Sequence, residues 1–398
     1  MIGNPPYISA PAQVDNEVLA QQRERIVLSK QYKTLYQKWD LYIPFIELGL
    51  QRLAPRGVFS MIVPYPLTNQ TYALKMRDMI LSEYNLYELV DLNGVKVFEN
   101  ATVSNCIPFV KKENSSNKTV RVSKVSGANI QYSHSRELND MVQSKKRIWN
   151  LVEGQTSSEY SGFALLGDLC YISVGMVLNS DEKCDRGAFK KDDLISTTRD
   201  EIHSRKYIEA KDIEPYRVKR YRWLEWNTER CPNQLRRPTF RELYDCEKLL
   251  VNRLGKIQVY LDSEEHFLHS DSMFAIVLWH ILGGVDNKSI TSSIKKYSRL
   301  AREEMEALST NVDSKYLLAV LNSSFASHLL DEQRGGDYHI YPEHLRQIPI
   351  PIPDLDVQKG LSSLVDELVS AIDAKDSVQR ESLQLQIDNK VEILYQSN

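Results

Sequence analysis

The segment Asn4-Pro5-Pro6-Tyr7 has the most pointed chemistry in this 398-residue chain. An exocyclic amine on adenine is a poor nucleophile, because its lone pair is delocalised into the ring. Two acceptors that hold both amino hydrogens favour a tetrahedral nitrogen and free that lone pair. The Asn4 side-chain oxygen is one such acceptor. The carbonyl of Pro5, stiffened by the proline after it, is the other. An aromatic ring at the fourth position stacks on a base swung out of a duplex. A sulfonium methyl donor then needs neither a metal nor a strong general base. The same four residues also read as a Pro-Pro turn before a helix, with Asn4 as its cap.

The elements around the segment decide between these readings. Leu41, Phe45 and Leu48, with Ile46, Leu50 and Leu53, have helical spacing, which predicts a helix over 40–53 with Pro44 near its first turn. Residues 58–63 read as a buried strand, 71–83 as a helix, and 86–92 and 102–110 as two more strands. That alternation is an α/β layer. KKENSSNK (111–118) is a polar turn, and the Ser/Asn/Gly-rich residues 126–160 read as a linker. Residues 160–352, short apolar runs between charged turns, suggest a separate α+β domain. The proline-spaced strip IPIPIPD (348–354) is extended. Two helices follow, one with the stripe Leu361, Leu364, Val365, Leu368 and Ile372, the other through Leu385, Val391 and Leu394.

The order of these pieces resembles the gamma-type N6-adenine DNA methyltransferases, especially TaqI-like and type IIG restriction–modification enzymes. There, IGNPPYI is followed by a K-x-D-L-Y-x-x-F-I-E helix, matched by Lys38, Asp40, Leu41, Tyr42, Phe45, Ile46 and Glu47. A Leu-x-x-x-Gly turn (Leu53, Gly57), a strand ending Ile62-Val63-Pro64 and the run ELVDLNGVKVFENATVSNCIPFVKK complete the match over residues 2–112. The resemblance implies that Asn4 and the Pro5 carbonyl hold the adenine amino group. It implies that Tyr7 and Phe98 flank the flipped base and that Pro6 touches the methyl donor. Read without the resemblance, Phe98 is a core aromatic at a strand start, and Asp40 is a helix N-cap.

Residues 165–355 resemble, more loosely, the TaqI-like target-recognition domain, through YISVGMVLN, YIEAKDIEPYRV, KLLVNR and YLLAVLNSSFASHLL. The IPIP strip also resembles type I specificity subunits. Charge agrees with a DNA-facing role: residues 201–260 hold 14 Lys/Arg against 9 Asp/Glu, net +5, and residues 353–398 hold 4 against 9, net -5. The overall -3 excludes only a uniformly basic coat. Arg217, Lys219, Arg220 and Arg222 interleave with Tyr216, Tyr221 and Trp223, and Arg236, Arg237 and Arg241 follow; such cations contact phosphates, and Arg also reads guanine.

The expected architecture is therefore an α/β, partial Rossmann-like methyltransferase sheet with its later strands only (1–125), a linker (126–160), an α+β target-recognition domain (161–355) and C-terminal helices (356–398). The resemblance also expects a donor-binding half ahead of Asn4, with a Gly-rich turn. None of the 16 glycines forms G-x-G. The expectation is that this chain alone does not bind S-adenosylmethionine, and that it is a truncated gene product or one half of a split enzyme with an upstream-encoded donor-binding polypeptide. Double-stranded DNA is the expected partner.

Other chemistries are weaker. The five cysteines are widely spaced and odd in number, which is neither a disulfide framework nor a zinc site and fits a reduced cytoplasm. No apolar run reaches the roughly 18 residues of a membrane span, and the N-terminus has no signal-peptide pattern. His266 and His269 read as exposed histidines rather than metal ligands. Asp200 with Glu209 and Lys211 matches a permissive nuclease spacing that arises often by chance. Release-factor glutamine methyltransferases also use Asn-Pro-Pro-Tyr, but the long remainder beyond residue 112 argues against them. A specificity module that binds DNA without catalysis is the main alternative.

Overall fold

A computed structural model of the chain describes residues 1–92, 95, 97–98, 104–113, 119–126, 129–143, 148–149, 160, 162–180, 188–334 and 338–396. Two compact units emerge, one drawn from Met1–Glu159 and one from Tyr160–Arg334 and Tyr338–Asn398.

The first unit is built on one mixed sheet. Strand β1 (Ile2–Gly3) leads to helices α1 (Ala10–Asp15), α2 (Glu17–Leu28) and α3 (Tyr42–Gln51). Strands β2 (Val58–Met61) and β3 (Val63–Pro64), helix α4 (Leu74–Glu83), and strands β4 (Asn85–Asp91), β5 (Asn105–Lys111), β6 (Thr119–Ser126) and β7 (Asn129–Glu137) follow. The sheet order is β1-β2-β5-β4-β6-β7, with β3 also paired to β5. Strand β1 runs parallel to β2, with Ile2 opposite Ser60 and Gly3 opposite Met61; β4 runs parallel to β6. Helix α3 forms where the apolar spacing placed it, with Pro44 in its first turn, and buries Tyr42, Ile43, Ile46 and Leu50 in the core that lines the sheet. Gly49 lets the helix lie close: a Cβ there would stand 2.7 Å from the Phe59 ring.

Two expectations change. The 58–63 strand is interrupted at Ile62. The linker expected over 126–160 is corrected at residues 129–137, which form β7, hairpin partner of β6. That hairpin adds two strands beyond the expected set. Most of β7 is exposed, so it carries no apolar period to reveal it. Most of the polar turn 111–118 lies outside the described residues.

The second unit is α+β, as expected. One antiparallel sheet orders β8 (Cys170–Val174), β15 (Met273–Leu278), β12 (Lys248–Asn252) and β13 (Val259–Asp262); a mixed sheet orders β9 (Ile195–Ser196), β11 (Arg222–Glu225), β10 (His203–Ile208) and β14 (Leu268–His269), the last pair parallel. Helices α5 (Lys288–Tyr297), α6 (Arg302–Ser309), α7 (Ser314–Leu321), α8 (Ser324–Arg334), α9 (Leu355–Asp373) and α10 (Ser377–Gln396) complete it. The proline strip is pinned as an edge: Pro349 and Ile350 pair with Leu165 and Ala164, Tyr395 donates to the Pro349 carbonyl at 2.6 Å, and Tyr316 to that of Pro351 at 2.7 Å. The two C-terminal helices share its core through Leu361, Val365, Leu368, Ile387 and Val391. The last helix forms through Leu385, Val391 and Leu394 as expected, with Leu385 61 % exposed. Among the described residues no helix is long and apolar enough to cross a membrane.

Candidate active site and nucleic-acid interface

Asn4-Pro5-Pro6-Tyr7 leaves the carboxyl end of β1, at the edge of the parallel pair with β2. Ligands of open α/β sheets bind beyond such strand ends. The Asn4 carboxamide is exposed and makes no side-chain hydrogen bond among the described residues, while Pro5 is buried and Pro6 and Tyr7 are half-buried. The alternative role for Asn4 as a helix cap is not what forms: Ser9 caps α1, its Oγ accepting the Ala12 amide.

The segment is held from several sides. The Ile62 amide donates to the Gly3 carbonyl at 3.1 Å, and the Tyr7 hydroxyl donates to the Ile62 carbonyl at 2.8 Å. The Ile62 amide continues the β1–β2 ladder, while its carbonyl is turned to the Tyr7 hydroxyl at the point where the strand breaks. Behind Tyr7, the Asp40 carboxylate accepts the Ala10 amide at 2.9 Å through Oδ1 and the Tyr72 hydroxyl at 2.9 Å through Oδ2. The expected N-cap role for Asp40 is therefore corrected. Its own helix starts after Leu41 without a side-chain cap, and Asp40 instead binds the start of α1. Tyr72 also meets the fully buried Tyr42 hydroxyl at 3.1 Å. Gln13 donates to the Ile8 carbonyl at 3.0 Å. Arg23 donates to the Gln13 amide oxygen at 3.0 Å and stacks 3.7 Å over Trp39. Glu47, last of the K-x-D-L-Y-x-x-F-I-E match, is fully buried and accepts the Lys33 and Thr34 amides at 2.8 and 2.9 Å. The sequence marked Asp40, Tyr42 and Glu47 but gave no hint of Tyr72, which bonds both Asp40 and Tyr42, or of the Lys33 and Thr34 amides that Glu47 accepts.

Burial raises the Tyr7 phenol well above its ordinary value and also raises the Asp40 carboxyl, the latter against opposing hydrogen bonds from Tyr72 and Ala10. The Tyr7 ring meets Phe98 edge-on, with centroids 5.9 Å apart and planes at 80°. The structure thus brings together the two aromatics that the resemblance paired. A base sandwiched between parallel rings needs roughly 7 Å between them, twice a stacking distance, so its entry requires the rings to part. No strand-to-helix glycine turn forms a donor cradle among the described residues: Gly283 and Gly284 follow a 3-10 turn, and Gly335 and Gly336 lie outside the described set.

In the second unit the basic residues divide. Arg217 pairs with Glu214 at 3.3 Å, Arg220 with Asp212 at 2.7 Å, and Arg222 with Glu209 and Asp212 at 2.9 and 2.8 Å. Glu209 also takes Lys191 and Lys211, at 2.7 and 2.8 Å. Burial pushes the Glu209 carboxyl up, but the hydrogen bonds from Lys191, Lys211 and Arg222 outweigh it and hold it at about 2. Asp200, the other acid of the nuclease-like spacing, binds His203 at 2.7 Å. Arg205, Lys206, Arg230, Arg241 and Lys248 have carboxylate partners too. Of the cations in 201–260, only Lys219, Arg236, Arg237, Arg253 and Lys256 have no carboxylate within 4.0 Å among the described residues. Lys219, Arg236 and Arg237 are exposed. Tyr216 is buried, donating to Gln384 at 3.0 Å.

The expected exposed histidine pair is corrected at His269, which is 0 % exposed and packs on Tyr244 at 5.1 Å. Both residues of β14, Leu268 and His269, are fully buried. No group of His, Cys, Asp and Glu among the described residues is arranged to hold a metal ion.

The N-terminal quarter has relatives of known class. Residues 1–98 match the family described as Eco57I restriction-modification methylase. The type II methyltransferase M.BstVI of Geobacillus stearothermophilus is 32 % identical over 122 residues, which is 30 % of this chain and 20 % of that protein. M.XhoI of Xanthomonas vasicola is 37 % identical over 98 residues, 25 % of this chain and 17 % of that protein. The chain thus aligns with a fifth or less of the length of these relatives. A structure of the type IIL restriction-modification enzyme MmeI, solved in complex with DNA, has the same fold over 100 % of this chain and 54 % of its own, with a TM-score of 0.58 at 10 % identity. The resemblance seen in residues 2–112 is therefore to restriction–modification methylases, and the mixed α/β fold is that of such an enzyme.

Proposed function

We propose that this chain supplies the target-base end of the active site, and the DNA-reading domain, of a site-specific adenine N6-methyltransferase in a restriction–modification system. The observation that carries the proposal is the exposed, unengaged Asn4 carboxamide at the carboxyl end of β1, beside the contacting rings of Tyr7 and Phe98. In this reading Asn4 and the Pro5 carbonyl take the two amino hydrogens of a flipped adenine. Tyr7 and Phe98 enclose the base, and Pro6 lies against the methyl donor. S-adenosylmethionine supplies the methyl group when bound to a donor-binding half, carried by the same polypeptide or by another. Cytoplasmic double-stranded DNA is the partner of the second unit, where Lys219, Arg236 and Arg237 face phosphates and the exposed parts of Arg217 and Arg220 assist. Arg222, enclosed between Glu209 and Asp212, positions β11 rather than meeting DNA.

Co-expression with the polypeptide encoded immediately upstream, followed by methylation-sensitive sequencing, tests the proposal. N6-methyladenine at one sequence motif, lost in Asn4→Ala, is the expected result. Sequence-specific binding without any methylation would favour the second reading, a specificity module without catalysis. The lack of a glycine-turn donor cradle among the described residues is the observation behind that alternative.

A further inference from the structure

The +5 excess of residues 201–260 does not form one open patch. Nine of those cations hold carboxylates of the same unit. A cation already bound to a carboxylate gains less from a phosphate, because the new interaction competes with an existing one. Cations without such partners matter more, and a second set lies on helix α5.

Residues 288–302 hold five Lys/Arg and no Asp/Glu. Ile290 is fully buried in the core and Ile294 packs against it, which fixes the orientation of α5. Lys288, Ser289, Thr291, Ser292, Lys295 and Lys296 are left exposed. None of the three lysines has a carboxylate within 4.0 Å among the described residues. Positions three and four residues from each lysine, where a helix ordinarily sets an opposite charge, hold Ser, Thr, Gly, Val, Leu and Arg. Small hydroxyl residues between lysines leave room for a sugar–phosphate chain and offer it hydrogen bonds. At 1.5 Å per residue, Lys288 and Lys295 stand about 10 Å apart along the axis, so they address separate phosphates. Arg299, just past the helix, extends the row; it is 66 % exposed although it also touches Asp168 at 3.0 Å.

We infer that the exposed face of α5 is a second phosphate-contacting surface, which grips the DNA backbone without reading sequence. This rests on the DNA-reading role proposed for the unit.

The test uses the full chain and a fluorescent duplex of mixed sequence, titrated at several salt concentrations. Removing one cation from a phosphate lowers the slope of log K against log salt by about 0.9. The triple substitution Lys288→Gln, Lys295→Gln, Lys296→Gln is expected to flatten the slope by about 2 to 3 and to weaken binding roughly tenfold or more at low salt. The matching Lys→Arg triple should keep the wild-type slope. A parallel Arg236→Ala, Arg237→Ala variant is the control for the reading domain itself. If the wild type binds, the control weakens it and the glutamine triple changes neither affinity nor slope, the α5 inference is overturned and the DNA-reading role stands. If the wild-type chain does not bind the duplex at all, the DNA-reading role fails and the α5 surface with it.

Discussion

Ile62 holds the candidate catalytic segment at both ends: its amide donates to the Gly3 carbonyl at 3.1 Å, and its carbonyl accepts the Tyr7 hydroxyl at 2.8 Å. Asn4, Pro5 and Pro6 lie between these two anchors. One residue of the neighbouring strand therefore sets where the Asn4 carboxamide projects. A misplacement of about 1 Å in such a group costs around 100-fold in rate.

Tyr7→Phe tests the clamp. The variant keeps the ring that would stack on a base and removes only the anchor to Ile62. In the assembled, methylating enzyme we expect a roughly tenfold slower single-turnover methylation with DNA affinity unchanged, as for loss of one orienting hydrogen bond. Tyr7→Ala should be slower again, because base stacking is worth about 1–3 kcal/mol. A wild-type rate for Tyr7→Phe would show that the hydroxyl plays no orienting part.

Asp40 offers a second test, read as stability. Alanine removes the acceptor for both the Ala10 amide and the Tyr72 hydroxyl and should cost about 2–4 kcal/mol. Asparagine keeps one acceptor and should cost far less. Burial raises the Asp40 carboxyl above its unfolded value. Its contribution is therefore complete below the unfolded pKa and declines as pH rises through the folded one. Denaturant unfolding across pH 3–8 should give a gap between wild type and Asp40→Asn that is widest in acid. A gap that widens toward neutral pH would contradict this sign.

The elements that position the site were largely legible, and the reasons differ by element. Helix α3 announced itself through the three- and four-residue spacing of its apolar side chains, although it is buried nearly all round and Phe45 is 42 % exposed, and the IPIP strip because alternating prolines forbid a helix. The β6–β7 hairpin did not, since its second strand is mostly exposed and polar. Asn4 and Tyr7 were singled out by a contiguous motif, and Phe98 by the order of segments along the chain. The Asp40–Tyr72 bond joins residues 32 apart, and no local pattern specifies such a partner. Charge counting erred differently. It treated Arg222 and Lys219 alike, although the fold encloses one between two buried carboxylates and leaves the other in solvent.

His269 gives the second unit a pH dependence. Burial first, and the nearby Lys248 ammonium second, depress its imidazole to about 3, and neither ring nitrogen has a hydrogen-bond partner among the described residues. The unfolded chain takes up this proton near pH 6.5 and the folded chain does not, so stability falls as pH drops below 6.5, by about 1.4 kcal/mol per pH unit, until about pH 3. His269→Gln removes that proton. Its unfolding free energy relative to wild type should improve by about 2 kcal/mol between pH 7.5 and pH 5. An unchanged difference would place the acid sensitivity elsewhere.

Lys248 and Asp262 face each other across β12 and β13, both 0 % exposed at the side chain, with Nζ 2.8 Å from Oδ2. Each is otherwise satisfied. Asp262 accepts the His266 and Phe267 amides at 2.9 and 2.7 Å, which shapes the loop leading into β14; Lys248 donates to the Tyr244 and Cys246 carbonyls at 2.8 and 3.2 Å. Removing one partner leaves the other charged in a medium without water and typically costs about 3–5 kcal/mol. The two effects should be unequal. Lys248→Met leaves a carboxylate still held by two amide donors. Asp262→Asn leaves an ammonium held only by neutral carbonyls and loosens the loop, so it should cost more. The double variant Lys248→Met, Asp262→Asn has no stranded charge and should be more stable than the sum of the single effects by about 1–3 kcal/mol. Urea unfolding of the four chains measures this coupling, and strict additivity would mean that the pair does not act as a unit.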